Sequence, residues 1–146
     1  MASTAKRAWY QSKLEDPSIL DHAVDLGYDL AVPVGGKRRG GYVCPPDLAA
    51  YKVTMETLAR HDGFPNLRII PGNDEVPDNI CWGDDGPALP NTNDDDSWAR
   101  FDAARGQYFG YSDRAIRSYI EQKYESYATD EAVVRYHPSD SEATCR

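Results

Sequence analysis

No apolar run in this chain approaches the roughly 20 residues needed to span a bilayer, so no membrane-spanning helix is expected. Cysteine is scarce: Cys44, Cys81 and Cys145 are odd in number and far apart, and no CxxC or HxxxH spacing suggests zinc. Small thiols in apolar surroundings are the expectation at Cys44 and Cys81. Neither GxxxxGK[ST] nor GxGxxG occurs, so the common phosphate and dinucleotide fingerprints are missing. Met1 to Tyr10 carries Lys6 and Arg7 with no apolar segment after them, so no signal peptide is expected and the location reads as cytoplasmic. Basic charge is also short, with 16 Lys and Arg against 24 Asp and Glu and a formal net charge of −8. Such a balance argues against sequence-independent nucleic-acid binding, which relies on neutralising phosphates.

What is present fits one small domain. At 146 residues a single core can be stable alone, and ten Tyr, three Trp and three Phe supply large side chains for it. Eleven Gly and ten Pro imply many turns. The charge is uneven. Between Ile69 and Ala99 stand eight carboxylates (Asp74, Glu75, Asp78, Asp84, Asp85, Asp94, Asp95 and Asp96) and no Lys or Arg. Removing them from 24 leaves 16 acidic residues against 16 basic ones, so the net charge sits in that segment.

The centre of the pattern is Leu30 to Cys44. Leu30, Val32 and Val34 alternate with Ala31 and Pro33, then Gly35-Gly36-Lys37-Arg38-Arg39-Gly40-Gly41 precedes Tyr42, Val43 and Cys44. This reads as a strand, a flexible basic tip and a returning strand, with Pro33 placing the first strand at an edge or bulge. Residues 1–15 read as a polar arm or short helix. Asp16-Pro17 starts a helix with Ile19, Leu20, Ala23 and Val24 on one face and Gly27 at its end. Asp47 caps a helix carrying Leu48, Tyr51, Met55 and Leu58. Leu67–Ile70 and Asn79–Gly83 read as paired strands. Residues 84–96 form an acidic loop, and a helix follows from near Asp96 or Ser97 with Trp98, Phe101, Arg105 and Tyr108 on one face. Ser112 caps the last helix. Val133–Tyr136 reads as an edge strand inside a tail covering residues 129–146. Together these predict an α+β fold: one domain over residues 16–128, with a small, mostly antiparallel sheet against two to three helices.

No complete catalytic constellation is visible. The first candidate site is the tip, Gly36, Lys37, Arg38, Arg39 and Gly40, where guanidinium groups and glycine amides suit phosphate, carboxylate or a partner protein. The second is the acidic loop with Asp84, Asp85, Asp94, Asp95 and Asp96, either a solvated helix cap or a carboxylate row imitating DNA phosphates. Asn91, Asn93, Asp95 and Asp102 follow an EF-hand count, but Asp96 stands where that loop needs Gly. His61-Asp62 could be an acid/base pair, although His at a helix end has a dipole reason of its own. No metal or cofactor is implied.

Leu30–Gly36 with Arg38–Tyr42, Gly63–Arg68, and Tyr108–Ser112 with Ala115-Ile116 resemble a family of short uncharacterised proteins from streptomycete-type actinobacteria and their phages. The resemblance spans roughly residues 16 to 122 and implies no mechanism. The expected function is a non-enzymatic binding or regulatory protein with a protein partner and no membrane. The alternatives are an acidic DNA mimic, or an enzyme or sensor that takes a phosphorylated small molecule at the tip.

Overall fold

The structure, a computed structural model, describes residues 2–129, with side chains for residues 4–124. It is a mixed α+β domain with two small antiparallel sheets. Helix α1 (Ala2–Lys13) leads into a 3₁₀ helix, Pro17–His22. Strands β1 (Val24–Asp25) and β2 (Leu30–Ala31) form a two-stranded sheet. Strand β3 (Gly40–Val43), helix α2 (Leu48–Ala59), β4 (Arg68–Ile70) and β5 (Asn79–Gly83) come next. The larger sheet has the order β3-β5-β4. Helices α3 (Asp95–Tyr108) and α4 (Asp113–Thr129) complete the described chain.

Three helix starts follow from side-chain capping. Asp47 accepts from the amide of Ala50 at 2.9 Å, Asp94 from Ser97 at 2.8 Å, and the Ser112 hydroxyl from Ala115 at 3.1 Å. Asp16 also caps as expected, but its helix is a 3₁₀ turn that stops at His22. Short 3₁₀ geometry suits this stretch because Val24 is taken by a strand. Gly27, at φ +86°, serves the turn between β1 and β2 and ends no helix.

The expected hairpin is corrected. Its two arms lie in different sheets: β2 pairs with β1, and β3 pairs with β5. The link between them is a tight turn in which Gly35 and Arg38 exchange backbone hydrogen bonds of 3.0 and 2.8 Å. Gly36 has φ +51° at the first central position, as a II′-type turn requires. The alternation is nevertheless real, with both sides buried. Leu30 and Val32 join Tyr10, Leu14 and Leu20 under α1, while Ala31 joins Val24, Val43, Leu58, Phe64, Ile80 and Trp82. The short-helix reading of this stretch therefore holds for Ala2–Lys13, which covers part of the core.

Strand β5 is central and carries the deepest residues. Ile80 and Trp82 are fully buried, and Trp82 Nε1 donates to the Val32 carbonyl at 3.0 Å. Helix α2 turns Tyr51, Thr54, Met55 and Leu58 inward, while Leu48, expected on that face, is 89% exposed. Helices α3 and α4 cross at Gly106, where a Cβ would lie 2.7 Å from Ile116 Cγ1. Among the described residues no helix is long and apolar enough to cross a membrane. The expected strand Val133–Tyr136 and the tail from residue 130 lie outside the described residues.

Candidate functional site

The inner face of the larger sheet, with Val43, Ile80 and Trp82, is filled by the core. Its outer face is only partly covered. The register aligns Tyr42 with Cys81 and Cys81 with Arg68, so a phenol, a thiol and a guanidinium stand in one row across three strands. Ile70, two residues along β4 from Arg68, shares that face. Above the row lies α3, where the i, i+4, i+7 spacing of Phe101, Arg105 and Tyr108 turns all three toward the sheet. Asp85, Gly86 and Pro87 of the acidic loop close one side. The enclosed cleft has a volume of about 180 Å³.

Each polar group in the cleft has an identifiable support. Tyr108 Oη donates to the carbonyl of Asp84 at 2.5 Å. It reaches that carbonyl because residue 40 is glycine; a Cβ there would overlap the Tyr108 hydroxyl. Arg68 donates to the carbonyls of Asn66 and Gly83 at 2.8 and 3.0 Å, and to the exposed Asp85 carboxylate at 3.0 Å. Arg105 differs. Its residue is 9% exposed, its guanidinium stacks over Phe101 at 5.2 Å, and it approaches Asp102 Oδ1 only to 3.6 Å. Among the described residues it donates no hydrogen bond. Asp102 Oδ2 accepts from Lys123 at 2.7 Å and Tyr124 at 2.6 Å, but Oδ1 is buried without a hydrogen bond. Arg105 also lines a smaller cavity of about 50 Å³ on its other side, with Trp9, Tyr111, Ile116 and Tyr119.

The ionisable groups of the cleft are shifted by burial or paired. Burial pushes the Cys81 thiol up, against the opposing pull of Arg68, and burial likewise pushes the Tyr108 phenol up. Both remain protonated at neutral pH and act as donors. Among the described residues no imidazole lines the cleft, and the one carboxylate there, Asp85, is paired with Arg68. His22 and His61 lie elsewhere, along a shallow groove with Asp21, Arg60 and Asp62. His61 Nδ1 is engaged with the Thr57 carbonyl at 2.8 Å, which fits a helix-end role. Among the described residues no three His, Cys, Asp or Glu side chains are grouped to hold a metal.

The three cations of the expected basic tip diverge. Lys37 is exposed and pairs with Glu15 at 3.1 Å. Arg39 pairs with Asp84 at 3.4 Å. Arg38 is 4% exposed and points inward, so it is not part of a solvated tip. It donates to the Phe109 carbonyl at 3.1 Å and the Val32 carbonyl at 3.4 Å, between the rings of Tyr10 and Phe109. Gly36 serves the turn and Gly40 makes room for Tyr108. The acidic loop is largely engaged as well. Asp84 and Asp85 pair with Arg39 and Arg68, Asp96 pairs with Arg100, and Asp94 caps α3. Asp95 has no such partner. Of the two cysteines expected as thiols, Cys81 is free and half-buried, and Cys44 Sγ lies 2.8 Å from Asn79 Oδ1.

The chain belongs to DUF6302. That family, described as one of unknown function, matches residues 3–141. No curated protein and no solved structure matches the chain. Of the cleft residues of this DUF6302 chain, Asp85 was a sequence candidate, as part of the acidic loop, and the others were not. Arg68, Cys81 and Tyr42 come together only through strand register, a long-range property. Arg105 did leave a signal, as a cation on an otherwise aromatic helix face.

Proposed function

We propose that this DUF6302 chain is a non-enzymatic binding protein with a regulatory role, and that its binding element is the cleft between the outer sheet face and α3. The observation that carries this reading is the composition of the cleft. It is concave and apolar-walled, with a few convergent polar groups, as small-ligand sites are, and those groups are held in donor or paired forms. The binding of a ligand there would be passed to a protein partner by the loop of residues 84–96, which closes one side of the cleft and carries five of the eight carboxylates of the acidic segment. A cytoplasmic, actinobacterial or actinophage setting is part of the proposal and rests on the resemblance of the segment around Gly35–Tyr42. The DNA-mimic reading is weaker, because four of the five carboxylates it would use are engaged within the protein.

The test is a fragment screen followed by amide NMR on the full chain. Shifts should cluster on Tyr42, Ile70, Cys81, Phe101 and Tyr108. Shifts confined to other surfaces, or none across a chemically mixed set, would contradict the reading.

A further inference from the structure

Two arginines and one carboxylate line the cleft of a chain whose formal net charge is −8. Each arginine already faces a carboxylate, Arg68 that of Asp85 and Arg105 that of Asp102, so the guanidinium groups are set to receive an anion. Arg105 supplies the stronger argument. A guanidinium carries five donors in a rigid fork, and burying it without hydrogen bonds is costly. The Arg105 side chain is 11% exposed, donates no hydrogen bond among the described residues, and makes one long ion pair, to Asp102 Oδ1 at 3.6 Å, which leaves donors of its fork free for a ligand. Its stacking on Phe101 holds it in place, which lowers the ordering cost of binding.

The second observation concerns Arg68. Its contact to Asp85 at 3.0 Å shows which anion this position accepts, a carboxylate. Asp85 is 91% exposed at its side chain, so little else restrains it there. Arg68 is also anchored by two backbone carbonyls, so it stays in position if Asp85 leaves. Phe101, Phe109, Ile70 and Pro87 form the remaining wall. Such a wall suits an apolar body and gives little to a fully hydrated anion.

Building on the cleft reading above, we propose that the ligand is a small-molecule carboxylate with an aromatic or aliphatic body. Its carboxylate bridges Arg105 and Arg68, and its apolar part lies against Phe101 and Ile70. Asp85 is the built-in stand-in for that carboxylate, and the ligand displaces it. Asp85 therefore opposes binding, and loop 84–96 is released when the ligand enters.

The experiment uses the full chain and three probes: benzoate, benzamide and inorganic phosphate. Benzamide keeps the ring without the charge, and phosphate keeps charge without the ring. Benzoate should shift the amides of Cys81, Phe101 and Tyr108, and should bind at least about tenfold more tightly than either control, the scale of one charge-assisted bond in the site. Arg105→Gln should weaken benzoate about tenfold or more while leaving benzamide unchanged. Asp85→Asn removes the competitor and should tighten benzoate several-fold. This surface variant keeps the test decisive even if Arg105→Gln fails to fold. Equal binding of benzoate and benzamide in the cleft would overturn carboxylate recognition and leave the cleft reading standing. Phosphate binding better than benzoate would overturn the ligand class, as would weaker benzoate binding by Asp85→Asn. If all three probes and neutral fragments leave the cleft amides unmoved, both readings fail.

Discussion

Arg38 brings a full positive charge into the interior with no carboxylate paired to it among the described residues. Two backbone carbonyls and two aromatic faces take that place, the Tyr10 and Phe109 rings lying 5.5 and 5.3 Å from its guanidinium carbon. A lysine could not reproduce this planar arrangement. Arg38→Ala should cost about 2–4 kcal/mol, combining a cavity with loss of the donor to the Phe109 carbonyl, while the Val32 carbonyl keeps Trp82 Nε1. Lys37→Ala, one residue away on the surface, should cost less than about 0.5 kcal/mol. Urea unfolding of the two variants measures the contrast, and similar losses would refute the interior role of Arg38. Asp94 gives a residue-scale pH prediction. Hydrogen bonds from Thr92, then from the Ser97 amide and hydroxyl, lower its carboxyl from 3.8 to about 2. A depressed acid stabilises the fold above its ordinary value, and that contribution disappears as pH falls from 3.8 through about 2. Asp94→Asn keeps a capping oxygen but has no proton to gain in that window. The difference between wild type and variant in urea midpoint should therefore shrink as the pH is lowered from 5 to 2.

At the scale of elements, the α3–α4 crossing depends on Gly106. Alanine there would gain about 1 kcal/mol in helix propensity. The added Cβ, however, meets Ile116 Cγ1 at 2.7 Å and Cδ1 at 3.1 Å. Overpacking of this kind costs about 1–3 kcal/mol, so Gly106→Ala should be net destabilising. Adding Ile116→Ala should produce a double variant better than the sum of the two, which a double-mutant cycle reads directly. Local signals explain why several elements were legible in the sequence. Helices α2 and α4 follow their caps Asp47 and Ser112, and β4 and β5 follow short apolar runs between turn residues. Cap choice slipped at α3, where Asp94 serves and a start near Asp96 or Ser97 was expected, and at Gly27, which ends no helix. Pairing partners were not legible. Nothing local to Leu30–Cys44 indicates that β2 pairs backward with β1 while β3 pairs forward with β5. The same long-range register creates the Tyr42–Cys81–Arg68 row, so the cleft was hidden with it. Arg38 was misplaced because charge predicts exposure on average, and Tyr10 and Phe109 are distant in sequence.

For the whole molecule, the acidic segment and the basic turn are joined within the fold. Arg39–Asp84 and Arg68–Asp85 tie the start of the acidic loop to β3 and β4. Helix α1 is also integral, with Tyr10 and Leu14 buried against Leu20, Leu30 and Val32. Removing residues 2–15 should expose that cluster and replace cooperative unfolding with a broad, dye-binding transition. A sharp calorimetric transition in the truncated chain would contradict this. The cleft itself contains its own reporter, the Cys81 thiol. The most direct measurement is the rate of methanethiosulfonate modification at Cys81, mapped by mass spectrometry of its peptide, with and without saturating benzoate. The account predicts slower modification with benzoate, and little protection from benzamide at the same concentration. An unchanged rate with benzoate bound would place the ligand elsewhere and contradict the account.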